Sequence, residues 1–217
     1  MNNIPRSVVI VEDDDFLRSL LADGLRSAGF TVSTAGDAQE ARRVIATNDP
    51  DAMLIDIDLG AGANGIDLGE SLAVHSPDIA VVYLTALADP RLAGTRTRAL
   101  NPKAAYLNKR SVLNIETVIE ALEVVLRDRD ISPVRHDLQD SSAMSRLSNT
   151  QLEVLRLMAE GLTNQQIAQE RNRSLSATEA LISRIFAVLS IDVEKVANPR
   201  IAAVRAYLDQ GGVTHRE

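Results

Sequence analysis

A chain of 217 residues with 45% hydrophobic and 24% charged residues can bury one or two real cores, which excludes a disordered chain. The absence of cysteine excludes disulfides, thiol nucleophiles and thiolate zinc sites, while His75, His136 and His215 stand too far apart for a histidine metal site. The net charge of −7 would count against nucleic-acid binding if it were uniform, but it is −6 over residues 1–127, −2 over 128–145 and +1 over 146–217.

Short apolar runs at Ser7–Val11, Phe30–Thr34, Ala52–Ile55, Ile79–Leu84 and Ala104–Leu107 read as strands. Helical spacing falls between and after them, near 16–28, 38–47, 66–75, 89–99 and 112–126. Five β–α units in succession predict a parallel sheet covered on both faces. Residues 128–145 lose periodicity and contain Pro133 and Ser141–Ser142, so a linker is expected there. Beyond it the pattern is helical: one helix ended by Gly161, a short one around Asn164–Glu170, a third near Ser176–Leu189, and a fourth from about Pro199, capped by Asn198. No apolar run approaches the roughly 18 residues of a membrane span, and the N-terminus has no signal core. A cytoplasmic location without membrane attachment is the expectation.

In a parallel sheet the crevice lies outside the carboxyl ends of the strands. Glu12 and Asp13 follow the first apolar run, Asp56 the third, Thr85 the fourth, and Lys109 lies just beyond the fifth. They should therefore converge at one edge. Clustered acids repel unless a cation sits among them, and hard oxygen ligands of this kind suit Mg²⁺. A carboxylate beside Mg²⁺, a hydroxyl and a lysine has what phosphoryl transfer requires, with Asp56 as the nucleophile.

The segments VVIVEDDDFLRSLL, LIDIDL, VVYLTA and AAYLNK resemble, in that order, the receiver domain of two-component response regulators. The resemblance implies a flavodoxin-like (βα)5 α/β domain over residues 1–127, with Asp56 as phospho-acceptor. It makes Asp13 a direct Mg²⁺ ligand paired with Glu12, with the backbone carbonyl of Asp58 as a further ligand. Thr85 and Lys109 would hold the phosphoryl oxygens, and Tyr106 would be the aromatic switch. The chain departs from the family at Gly60 and Arg110, where proline is usual, and its loop to Gly65 is one residue longer than the family's. Asp56-Ile57-Asp58 with Thr85 and Lys109 also fits haloacid-dehalogenase-type phosphatases, but there the second acidic pair follows the lysine and the DxD follows the opening strand.

The stretch LSNTQLEVLRLMAEGLTNQQIAQERNRS resembles the start of a LuxR-type helix-turn-helix domain, so 146–217 is expected to be a small all-α DNA-binding domain. Residues 163–171 would be the positioning helix, and Leu175–Leu189 the helix that enters the major groove. Candidate contacts are Asn164, Gln165, Arg171, Arg173, Ser176, Thr178 and Arg184. Together the two resemblances imply a transcription regulator, not an enzyme, phosphorylated by a sensor histidine kinase and binding DNA as a homodimer. The alternative is an output domain that binds protein, since Glu179 and Leu181 stand where the family often has Lys and His.

Overall fold

The computed structural model describes residues 5–60, 64–93, 100–127, 129–139 and 143–212. The chain divides into two compact units, Met1–Ala86 with Arg98–Gln139, and Leu87–Thr97 with Asp140–Glu217.

The first unit is built on five parallel strands: β1 (Ser7–Val11), β2 (Thr31–Ala35), β3 (Ala52–Ile55), β4 (Ala80–Thr85) and β5 (Ala105–Asn108), in the order β2-β1-β3-β4-β5. This is the doubly wound flavodoxin-like order, with the crevice where the strand order reverses at β1 and β3. Its helices are α1 (Asp15–Ser27), α2 (Ala38–Asn48), α3 (Gly65–His75) and α4 (Ile115–Leu126). Alternate strand residues Val8, Ile10, Leu54, Val82, Leu84 and Leu107 face α1 and α4, packing on Leu21, Leu25, Val118 and Leu122 in one buried cluster.

Side chains start the helices where the sequence offers a cap. Asp14 accepts from the Leu17 N–H at 2.8 Å, and Asp37, Asn64 and Asn114 do the same for the next three helices. Two glycines permit close packing. A Cβ on Gly24 would come within 2.7 Å of the Ile115 side chain, and one on Gly69 would collide with the Tyr83 hydroxyl.

The sequence expectation changes in two places. The helix expected over 89–99 is a 3-10 turn at Pro90–Ala93, and residues 94–99 lie outside the described residues. Residues 87–97 also join the second unit. The expected linker is partly ordered: a 3-10 turn at Ser132–Val134 leads into α5 (His136–Gln139), both in the first unit. The cause is the open edge of β5, whose backbone groups need partners. Arg135 bridges Tyr106 as a parallel pair, and His136 Nδ1 accepts the Asn108 N–H at 3.2 Å.

The second unit holds α6 (Asn149–Ala159), α7 (Asn164–Glu170), α8 (Leu175–Val188) and α9 (Pro199–Asp209). Ser148 with Gln151, and Thr163 with Gln166, form reciprocal capping boxes at α6 and α7. Asn198 caps α9, with Pro199 in its first turn. The turn between α7 and α8 passes through Asn172 at φ 50°, a left-handed position that asparagine tolerates. Leu155, Met158, Ile167, Ile182, Ile185, Ala203 and Tyr207 are buried among these helices.

Candidate functional site

The carboxyl ends of β1, β3, β4 and β5 bring four of the expected residues together. Backbone bonds fix their mutual register: Asp56 N–H donates to the Val11 carbonyl and Lys109 N–H to the Thr85 carbonyl, both at 2.8 Å. Glu12 and Asp56 are only 2% and 6% exposed, and Thr85 is fully buried. Lys109 Nζ donates to Asp56 Oδ2 at 2.6 Å and to both Glu12 oxygens at 2.7 and 3.0 Å. Asp58 N–H donates to Asp56 Oδ1 at 3.2 Å, and the Thr85 hydroxyl also bonds the Asp56 carboxylate. Asp13 is exposed at the rim.

One ammonium faces two buried carboxylates and the adjacent Asp13. Burial pushes the Glu12 carboxyl up to about 7, aided by Asp56 and Asp13 and opposed by Lys109. Burial also raises Asp56, against the lowering pull of Lys109, Asp58 and Thr85. Burial alone would lower Lys109, but Asp56 and Glu12 outweigh it and hold the ammonium charged. Carboxylate oxygens of Glu12, Asp13 and Asp56 lie within 4.8 Å of one another. Their surplus negative charge and hard oxygen donors fit a divalent cation such as Mg²⁺.

The loop after Asp56 explains a departure noted in the sequence. Gly60 sits at φ 70°, which proline cannot adopt. Gly65 N–H then donates to the Ile57 carbonyl at 2.9 Å, and a Cβ on Gly65 would collide with the Asp56 carbonyl oxygen. Sequence reasoning missed Arg18, whose guanidinium donates to the Glu12 carbonyl at 2.6 Å and pairs with Asp15. No motif marks it; only the first turn of α1 brings it back over the acidic loop. Tyr106 is fully buried, its ring 6.5 Å from that of Tyr83.

In the helical unit the candidate contacts separate. Gln165, Arg173, Ser176 and Arg184 are exposed. Arg171 pairs with Glu153 at 3.4 Å, and Asn164 Oδ1 accepts from Arg200 at 3.0 Å. Thr178 is a correction: it is 0% exposed, and its hydroxyl donates to the Ser174 carbonyl at 3.1 Å. It lies on the inner face of α8 with Leu181, Ile182 and Ile185, so it is packing, not a surface contact. The outer face presents Ser176, Ala177, Glu179, Ala180, Ser183 and Arg184.

Comparison with known proteins finds matches in both parts of the chain. Residues 8–123 match the response regulator receiver domain family, and residues 145–191 match the bacterial regulatory proteins of the luxR family. Among curated relatives, the DNA-binding transcriptional activator DevR/DosR of Mycobacterium tuberculosis is 26% identical over 193 residues, covering 85% of this chain and 88% of that protein. The probable transcriptional regulatory protein TcrX of the same organism is 26% identical over 166 residues, 71% of this chain and 70% of its own. Among solved structures, RcsB from Salmonella enterica serovar Typhimurium, bound to promoter DNA with a phosphomimetic, has a TM-score of 0.60 at 19% identity, covering 94% of this chain and 98% of that one. That likeness shows the fold. The chain belongs to the response regulator receiver family and carries a LuxR-type helix-turn-helix domain: it is a two-component response regulator built to govern transcription.

Proposed function

We propose that a sensor histidine kinase phosphorylates this chain on Asp56 and that the modification governs DNA binding by the helical unit. The carrying observation is the Lys109 ammonium held between Asp56 and Glu12. Burial raises the Asp56 carboxyl, and Lys109, the Asp58 N–H and Thr85 pull it back toward the carboxylate that can attack. An Asp56 oxygen attacks phosphorus, the bond from phosphorus to the donor nitrogen breaks, and an acyl phosphate forms on Asp56. Thr85 and Lys109 meet the transferred oxygens with a hydroxyl and a cation. Glu12, Asp13, Asp56 and the Asp58 carbonyl would hold Mg²⁺, which supplies charge neutralisation for the phosphoryl group. Tyr106 is the residue whose packing would answer the new charge.

A groove of about 510 Å³ lined by Leu17, Leu20, Leu21, Leu113 and Lys109 gives a phosphodonor protein an apolar surface leading to the lysine. Gln165, Arg173, Ser176 and Arg184 are the exposed candidates for DNA, joined by the half-buried Arg171 and Asn164. Relatives named as DNA-binding regulators support that output, and the DNA-bound RcsB dimers among similar structures support a homodimer. Among the described residues no helix is long and apolar enough to cross a membrane, in keeping with a cytoplasmic regulator.

A second reading, output through protein contacts, is favoured by the small, near-neutral outer face of α8. The receiver-family match and the place of Asp56 after β3 count against the phosphatase reading. Intact-mass spectrometry with a small acyl phosphate and Mg²⁺ tests the proposal: the chain gains one phosphoryl mass and Asp56→Asn gains none. Labelling of Asp56→Asn would reject Asp56 as acceptor. DNA fragments then decide the output, since binding that never exceeds background, with or without phosphodonor, leaves the protein-contact reading.

A further inference from the structure

The stretch that follows Thr85 in the chain is built into the helical unit, although receiver-type sequence surrounds it. Arg91 is its anchor. Its Nε and Nη2 fork onto the Asp89 carboxylate at 2.6–3.0 Å. The same guanidinium donates to the Leu147 carbonyl at 2.8 Å, to that of Ser145 at 3.2 Å and to that of Met144 at 3.4 Å, just ahead of the α6 cap Ser148. At the far end of the unit, Ala88 N–H donates to the Gln210 carbonyl at 3.1 Å and the Tyr207 hydroxyl to the Leu92 carbonyl at 3.4 Å. Asp89, Leu92 and Ala93 are buried. Residues 88–93 thus tie the entry of α6 to the exit of α9.

Only Ala86 and Leu87 separate this anchored piece from Thr85, whose hydroxyl already rests on Asp56. The three Cα–Cα steps from Thr85 to Ala88 span at most about 11 Å, which limits how far one can move without the other. A phosphoryl group on Asp56 places its oxygens farther from the strand end than the carboxylate oxygen that Thr85 now meets. Thr85 and the backbone after it must move to follow them.

We propose that Ala88–Ala93 is a coupling clasp: its packing in the helical unit opposes phosphorylation of Asp56, and phosphorylation withdraws it from the Met144–Leu147 turn and the end of α9. This rests on Asp56 as phospho-acceptor and adds how the modification reaches the helical unit. Linkage makes the effect reciprocal, so loosening the clasp must ease phosphorylation.

The test uses the full chain with Mg²⁺ and a small acyl phosphate, reading labelling rate by intact mass and amide hydrogen exchange by peptide mass. Labelled chain is expected to exchange at least about fivefold faster over 144–147 and 207–210, the low end of allosteric coupling. Unlabelled Arg91→Ala should show the same acceleration and take label about fivefold faster. Arg91→Lys, which keeps the charge without the fork, should fall between. Unchanged exchange in chain shown by mass to carry the phosphoryl group overturns the clasp while leaving Asp56 in place, as does wild-type labelling of Arg91→Ala. No labelling of any variant overturns the acceptor reading and the clasp with it.

Discussion

Lys109 and Asp56, 53 positions apart in sequence, meet with Nζ 2.6 Å from Oδ2, and the same ammonium serves Glu12. Because both acids are buried, this lysine is the main compensation for two charges taken out of water.

Lys109→Gln should therefore be costly. Removing one partner of a buried ion pair typically costs about 3–5 kcal/mol, and proton uptake by the stranded acids limits the loss here. Urea unfolding in EDTA is expected to show a loss of about 2 kcal/mol or more at pH 8 and a smaller one at pH 5. A loss equal at both pH values would mean that the lysine does not compensate these carboxylates.

Glu12 gives the site a pH signature. Its pKa is raised from 4.5 to about 7, so between those values the folded chain holds a proton that the unfolded chain has released. That contribution is full below pH 4.5 and is lost as pH rises through about 7. In EDTA, Glu12→Gln should gain stability over the wild type as pH climbs across this window. Mg²⁺ should restore more stability at pH 8 than at pH 5.5, a difference that thermal melts at the two pH values can read.

Thr178 and Arg184 lie six residues apart on α8 and should behave oppositely. Thr178→Val keeps the buried shape and removes one local hydroxyl bond, so DNA affinity should not change and stability should shift by no more than about 1 kcal/mol. Arg184→Ala removes an exposed cation and should weaken binding to all sequences, reducing the salt slope by about one. Fluorescence anisotropy across a salt series separates the two; an Arg184→Ala slope equal to wild type would remove it from the interface.

His136 should act as a latch on the β5 edge. Burial lowers its pKa from the usual 6.5 against the raising effect of Asp137, and its neutral Nδ1 accepts the Asn108 N–H. A base lowered by folding binds fewer protons folded than unfolded, so its contribution is full above pH 6.5 and is lost as pH falls through that region. Hydrogen exchange at Asn108 should accelerate below pH 6.5 after correction for intrinsic rates, and His136→Ala should show the faster exchange at every pH. Equal protection in His136→Ala would show that another group holds that amide.

The convergence of Glu12, Asp56, Thr85 and Lys109 was legible because a parallel sheet fixes which end of each apolar run faces the crevice. The strands fell within a residue of expectation, most plainly β1, β3 and β4, which are near-continuous buried apolar runs. What escaped reading was tertiary. Helical spacing near 89–99 does not reveal that Arg91, braced by Asp89, is claimed by carbonyls just ahead of α6. Nor does loss of periodicity after 128 reveal a strand edge waiting for Arg135 and His136. Thr178 was misjudged because a threonine on a helix is equally at home on either face, and only its phase with Leu181, Ile182 and Ile185 decides.

The scarcity of aromatic residues has an optical consequence. With no tryptophan, near-ultraviolet absorption rests on Tyr83, Tyr106 and Tyr207, each at most 2% exposed. Two lie in the sheet unit, and the third, bonded to the Leu92 carbonyl, lies in the helical one. Replacing Tyr207 by phenylalanine leaves a chromophore pair that watches the phosphoryl-site half alone. Replacing Tyr83 and Tyr106 in the same way leaves a single ring that watches the clasp, so each half of the protein can be followed in solution with no label attached.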